Sequence, residues 1–250
     1  MTAATQTVRD IALEQPASIR VFEQFGIDYC CGGRKPLAEA CAARNLEIET
    51  VLAALEATAN GPARIAETED WARASLEELS GHIVATHHAY IRRELPRLAL
   101  LAEKVVRRHG DTQDELPLIQ TRLVQLDDEL THHLAKEEMI LFPHIVKLER
   151  ASVDGGARPH GCFATVANPI AMMTAEHDAA GSLMAEIGQL SHQFTTPVGA
   201  CPTYHAFYDG LKEFEHDLRR HIHLENNILF PRAIALEQEA GAPAEAVTGS

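Results

Sequence analysis

The chain has 250 residues, 46% of them hydrophobic, and a formal net charge of −14, a balance opposed to non-specific nucleic-acid binding, which runs on excess basic charge. No run of 18 apolar residues occurs, and Met1 to Gln15 carries Asp10 and Glu14 without an apolar core, so neither a membrane span nor a secretory signal is expected. Five cysteines are too few for a disulfide scaffold and point to a reducing cytosol, while 14 histidines are many for this length.

Helix formers dominate and strand-like alternation is scarce, so the expected fold class is all-α. Residues 1–62 are expected to form a small N-terminal helical domain. Val8, Ile11 and Leu13 predict a short helix. Pro16 fits the first turn of a second, Ala17 to Phe25, which Gly26 stops. Asp28-Tyr29-Cys30-Cys31-Gly32-Gly33 reads as a glycine-rich turn. Pro36 starts a third helix through Arg44, Thr50 to Ala59 makes a fourth, and Asn60-Gly61-Pro62 ends the unit. Residues 63–70 read as a polar linker.

From Trp71 the pattern changes to long helices, expected over residues 71–239. The first runs from Ala72 to Arg108 on the stripe Val84, His88, Ile91, Leu95, Leu98, Ala102 and Val105, with Pro96 as a possible kink. The second, Asp114 to Arg150, carries Leu116, Ile119, Leu123, Leu126, Leu130, His133, Glu137 and Ile140. The third, Pro169 to Phe194, carries Ile170, Met173, His177, Ala180, Met184 and Ile187. The fourth, Thr203 to Glu239, carries Tyr204, Phe207, Leu211, Phe214, Leu218, His221, Glu225 and Ile228. Residues 240–250 read as a disordered tail. Four such helices joined by links predict an up-down-up-down bundle.

Two segments of the bundle repeat the pattern H-x3-E-x3-L-F-P, at His133 to Pro143 and His221 to Pro231. Residues four apart share a helix face, so each repeat sets a histidine and a carboxylate in an otherwise apolar stripe. A buried charge needs a strong partner, and a metal ion suits both side chains at once. Turn counting brings the pieces together. His88 and His133 lie 22 and 23 residues from Gly110, and His133 and His177 lie 22 residues on either side of Gly155. His177 and His221 are centred on Gly199. Residues equidistant from a turn sit at one height in antiparallel neighbours, so the four histidines share a layer. His88, His133, Glu137, His177, His221 and Glu225 are the expected metal ligands. Four imidazoles and two carboxylates, with no soft thiolate, suit a pair of iron ions bridged by the two glutamates and an oxo or hydroxo group. Glu129 and Glu176 flank the layer and could hydrogen-bond ligand imidazoles.

The same phase argument turns His132 and His223 away from the layer, as solvated or supporting groups, and stacks His87 with Ile83 and Tyr90. His82, His109, His144, His160, His192 and His205 have no companion pattern and are expected at the surface. Adjacent cysteines close a disulfide only with strain; beside two glycines, Cys30 and Cys31 suit metal binding or redox exchange. Cys41, Cys162 and Cys201 read as structural or incidental.

These motifs together resemble one family. The two repeats, His88 and His177 ahead of them, and the Asp28 to Gly33 turn are similar to the iron–sulfur cluster repair di-iron proteins (repair of iron centres, YtfE/ScdA type), over residues 7–237. The resemblance implies a hemerythrin-like bundle with a non-haem di-iron centre held by the same six residues, and a cytoplasmic role restoring clusters damaged by nitric oxide or oxidants, with this chain as iron donor. It places the family's cysteine pair on Cys30 and Cys31 as redox or iron-delivery thiols. Damaged iron–sulfur proteins would be the clients, nitric oxide or oxygen the small ligands, and a homodimer is compatible with it. The alternatives are a di-iron nitric oxide or peroxide reductase and a hemerythrin-like module that senses or stores oxygen or nitric oxide. The link Ala151 to Ala167, with His160 and Cys162, is long for the pattern.

Overall fold

The computed structural model describes residues 3–60, 71–156, 159 and 161–241. The expected linker at 63–70, His160 and nearly all of the expected tail lie outside them. The described chain is all-α. Its N-terminal part holds α1 (Val8–Glu14), α2 (Ser18–Phe25), α3 (Leu37–Ala43) and α4 (Ile48–Asn60). Thr7 caps α1 by accepting from the Asp10 N–H. Gly26 ends α2 at φ 65°, a left-handed conformation that glycine adopts without the Cβ penalty.

Four rods follow. The first joins α5 (Leu76–Ile83), a π-helical turn (Val84–His88) and α6 (Ala89–His109). The second joins α7 (Glu115–Lys136), a π turn (Glu137–Leu141) and α8 (Phe142–Asp154). The third is α9 (Ala167–Leu190), and the fourth joins α10 (Pro202–His223), a π turn (Leu224–Leu229) and α11 (Phe230–Gly241). Around the bundle α6 packs on α7 and α10, and α7 on α9, whereas α9 and α10 barely touch.

Three boundary expectations are corrected. The first rod begins at Leu76 and not at Ala72, because Ser75 and Glu78 form a reciprocal capping box. The third ends at Leu190 and not at Phe194, because His192, Gln193 and Phe194 all take positive φ. The second runs on to Asp154, where Gly155 caps it at φ 66°. Pro96 lies on the exposed side of α6 and does not interrupt it.

The π turns are the main departure from the expected phase. A π turn inserts one residue and shifts everything after it around the helix. Ile140, expected on the apolar stripe, is therefore 45% exposed, and Leu141 is buried in its place. Two of the three turns precede a proline of the L-F-P repeats, Pro143 and Pro231. A proline ring crowds the carbonyl four residues back and offers it no N–H, and a widened turn relieves the crowding. The Asn227 carbonyl, four residues before Pro231, accepts a long bond from the Arg9 guanidinium at 3.4 Å. The turn at Val84–His88 has no such proline, and nothing in the sequence marks it.

The N-terminal helices dock on the loose α9/α10 seam. The turn from Asp28 to Gly33 seats there: Cys31 Sγ is 3.8 Å from the His177 carbonyl, and the Asn227 amide donates to the Tyr29 carbonyl at 3.0 Å. Arg220 grips Glu23 through two bonds of 2.8 and 2.9 Å. Residues of both parts, such as Phe22, Tyr29, Phe214 and Leu218, belong to one apolar cluster. The turn itself is organised by Asp28, whose carboxylate accepts the N–H groups of Cys30, Cys31 and Gly32 at 2.9–3.1 Å. Gly33 is required because a Cβ there would stand 2.5 Å from the Tyr29 carbonyl oxygen. Gly33→Ala should destabilise the protein by roughly 1–3 kcal/mol, the usual cost of overpacking. Urea unfolding would check this, and an unchanged midpoint would refute the close approach.

Candidate metal centre

The bundle core is divided in two. One apolar cluster holds Leu95, Leu126, Leu134, Met184 and Leu218, and the other holds Leu79, Ile83, Leu141, Met173 and Leu229. Between them the six residues singled out by spacing converge, each at most 2% exposed. They form two overlapping sets whose ligand atoms lie within 4.8 Å of one another. One is His88, Glu137, His221 and Glu225; the other is His133, Glu137, His177 and Glu225. Both glutamates belong to both sets.

The imidazoles all aim Nε2 inward. His88 and His221 bring these atoms to 3.2 Å, and His133 and His177 bring theirs to 3.0 Å. Glu225 Oε1 is 2.8 Å from His221 Nε2, and its Oε2 is 2.9 Å from His177 Nε2. Glu137 reaches His88 Nε2 at 3.4 Å and His133 Nε2 at 3.3 Å. Several of these contacts are misaligned for hydrogen bonds: both Glu137 oxygens and Glu225 Oε2 are buried without a hydrogen-bond partner. Unmatched buried carboxylate oxygens cost several kcal/mol. Grouped with inward imidazole nitrogens, they make a donor set that fits metal binding.

The electrostatics agree with that reading. Burial opposes a charge on His88, but the Glu137 and Glu225 carboxylates outweigh it and raise the imidazole to about 10. Burial likewise opposes a charge on His133, which Glu137 above all raises to about 9. Burial drives His221 down. Burial and Glu225 both work against an ionised Glu137, yet the neighbouring histidines hold it below the usual carboxylate range. Glu225 is held well below that range by His221, His177 and His88 against the same burial. Protons and metal ions compete for these nitrogens. Because a metal binds the neutral imidazole, apparent iron affinity should rise with pH, by about tenfold or more between pH 6.5 and 8.5. Chelator competition at the two values measures it, and a flat profile would contradict the assignment of His88 and His133.

A second ring of groups fixes the imidazoles from behind. Glu138 takes His88 Nδ1 at 2.7 Å and also binds Arg92. Glu176 takes His133 Nδ1 at 2.9 Å and pairs with Lys136. Asn226 faces His177 Nδ1 at 2.9 Å through its carbonyl oxygen. Of the two supports expected from sequence, Glu176 is in place. Glu129 accepts from Gln125 at 2.9 Å and touches no ligand imidazole in the described contacts, because it lies a turn too far down the rod. Glu138 and Asn226 were missed, although each directly follows one of the shared glutamates.

The remaining histidines divide. His132 is exposed, with Nδ1 on the Asp128 carbonyl, as the phase predicts. His223, expected to be solvated or supporting, is buried against Tyr29 and bonded to Asn227, because the N-terminal unit covers that face. His144, expected at the surface, is buried edge-on to Phe163. His87 bonds Asp217 at 3.0 Å and stacks on His221. Cys30 and Cys31 are free thiols 3.9 Å apart, and the bond to Cys31, followed by burial and Asp28, pushes Cys30 well up.

Comparison with known proteins decides the family. The Hemerythrin HHE cation binding domain matches residues 80–233, and the ScdA_N domain, described as of unknown function, matches residues 4–59. The chain is 38% identical over 234 residues to the iron-sulfur cluster repair protein YtfE of Yersinia pseudotuberculosis, covering 94% of this chain and 99% of that one. It belongs to the YtfE family of iron–sulfur cluster repair proteins. The Escherichia coli O157:H7 member is 38% identical over 237 residues, covering 95% and 100%. The Pectobacterium carotovorum member is 37% identical over 234 residues, covering 94% and 99%.

If the centre holds metal through His133 and not its neighbour, His133→Ala should remove most bound iron and His132→Ala almost none. Metal analysis of the two purified variants reads this directly; equal losses would mean the face is misassigned.

Proposed function

We propose that this chain restores damaged iron–sulfur clusters as an iron donor, drawing on two irons held by His88, His133, Glu137, His177, His221 and Glu225. The carrying observation is the pair of overlapping ligand sets that share both glutamates. Bound there, a non-haem iron pair supplies exchangeable iron and open coordination positions. The chain's own part is to hold that iron without closing it in. Because both glutamates are shared, each ion would meet four protein ligands, fewer than the six positions of an octahedral ion. The carboxylates offset charge inside an apolar core, and Glu138, Glu176 and Asn226 keep three imidazoles aimed inward. Among the described residues no helix is long and apolar enough to cross a membrane. A cytoplasmic site of action, damaged iron–sulfur proteins as clients and the two-unit division of labour complete the proposal.

Cys30 and Cys31 fit the delivery step. They sit against the backbone of a ligand helix, outside the ring of six, with Cys31 near the His177 carbonyl. The double substitution Cys30→Ser and Cys31→Ser should keep two irons per chain and lose most of the repair of a nitric-oxide-damaged iron–sulfur protein. Iron content and recovery of the client's cluster absorbance are the readouts. Loss of the irons would place the thiols at the metal, and full repair would remove them from delivery. Turnover of nitric oxide with a reductant, without iron transfer, would favour a reductase instead.

A further inference from the structure

The two halves of the bundle correspond residue by residue. His88, His133, Glu137 and Glu138 match His177, His221, Glu225 and Asn226, and Glu176, just before His177, matches His87, just before His88. The residue after each shared glutamate supports the histidine that opens the same half: Glu138 on His88 at 2.7 Å, and Asn226 on His177 at 2.9 Å. The residue before His177 supports the second histidine of the other half, Glu176 on His133 at 2.9 Å. By the same relation residue 87 should support His221. It does not. His87 lies nearly parallel to His221, with ring centroids 5.8 Å apart and planes 13° apart, and turns its Nδ1 to Asp217. His221 Nδ1 is left buried with no hydrogen-bond partner.

This asymmetry falls between the two ligand sets. The set with His133 and His177 has both imidazoles held from behind; the set with His88 and His221 has one. An acceptor behind a ligand imidazole orients the ring and strengthens its donor nitrogen, and losing one typically lowers metal affinity by about 10–100-fold. His87 also lines a cavity of about 380 Å³ between the N-terminal helices and α10, together with Trp71, His82, Asp217 and Arg220. A single imidazole layer therefore separates His221 from that cavity.

We propose that His87, standing where the other half has Glu176, makes the position between His88 and His221 the labile one, so that the iron held there is released first while the iron held by His133 and His177 is retained. This rests on the two-iron reading above and specifies which iron serves as cargo.

The test is iron release from the full-length, anaerobically loaded protein to a ferrous chelator, followed by absorbance. The parent should release one iron in each of two phases whose rates differ by about tenfold or more. His87→Glu, combined with Asp217→Asn to avoid two facing carboxylates, should slow the fast phase toward the slow one. Glu176→Gln should do the opposite and bring the slow phase toward the fast, which keeps the test intact if the first variant fails to fold. A single phase carrying both irons in the parent, or a slow phase untouched by Glu176→Gln, would overturn the proposal. A chain that binds only one iron would overturn it together with the two-iron reading. Two unequal phases without any cluster repair would support the asymmetry and defeat only the repair role.

Discussion

Two carboxylates in the middle of an apolar bundle, each facing imidazoles from neighbouring rods, set the terms for the rest of this molecule. Glu137 and Glu225 are fully buried, and among the described residues no backbone amide or lysine hydrogen-bonds to them. Their charge is answered only by groups delivered at one height from four antiparallel helices. That requirement fixes the relative register of the rods more tightly than apolar packing alone, which tolerates exchanges of similar volume. It also explains why the core is split, with one apolar cluster on each side of the layer. Those clusters supply the free energy that offsets gathering so many polar groups in one plane.

The π turns belong to the same constraint. Three rods change pitch at the layer, while α9 passes His177 through it as an uninterrupted α-helix. In those three rods the apolar stripe is reset where the six residues meet, whereas α9 keeps buried residues on both sides of His177 without a reset. π turns are rare in helices at large and gather at functional sites, and here they mark the layer. The N-terminal unit answers the remaining weakness, the seam between α9 and α10, by filling it with the Asp28 to Gly33 turn.

Much of this was legible in the sequence, and the failures have definite causes. The six converging side chains follow from four-three spacing and equal distances to the turn glycines, which backbone geometry fixes directly. The capping box at Ser75 and Glu78 is a local pattern that the sequence carries by itself. Ile140 went to the wrong face because a π turn breaks the 3.6-residue period on which the stripe was drawn. His223 and His144 are buried by contacts far away in the chain, which a helical phase does not encode. Glu138 and Asn226 face a different side of the rod from the glutamates they follow, and only the positions of His88 and His177 on other rods give them their role.

Seating the cysteine turn in the α9/α10 seam limits how far the thiols can travel. Leaving the seam would expose Tyr29, break the Asn227 and Arg9 bonds, and part Arg220 from Glu23. Burial of one large side chain contributes roughly 1.5–3 kcal/mol, and each hydrogen bond adds about 0.5–1.5 kcal/mol. A detached state would therefore lie several kcal/mol above the docked one and be visited in well under about one molecule in a hundred. Cys30 and Cys31 are thus mounted on a wall of the bundle and not on a swinging arm. Under the delivery role proposed above, a recipient would have to bring its own vacant cluster to that wall, and the shape of the surface around the seam would become part of what selects it.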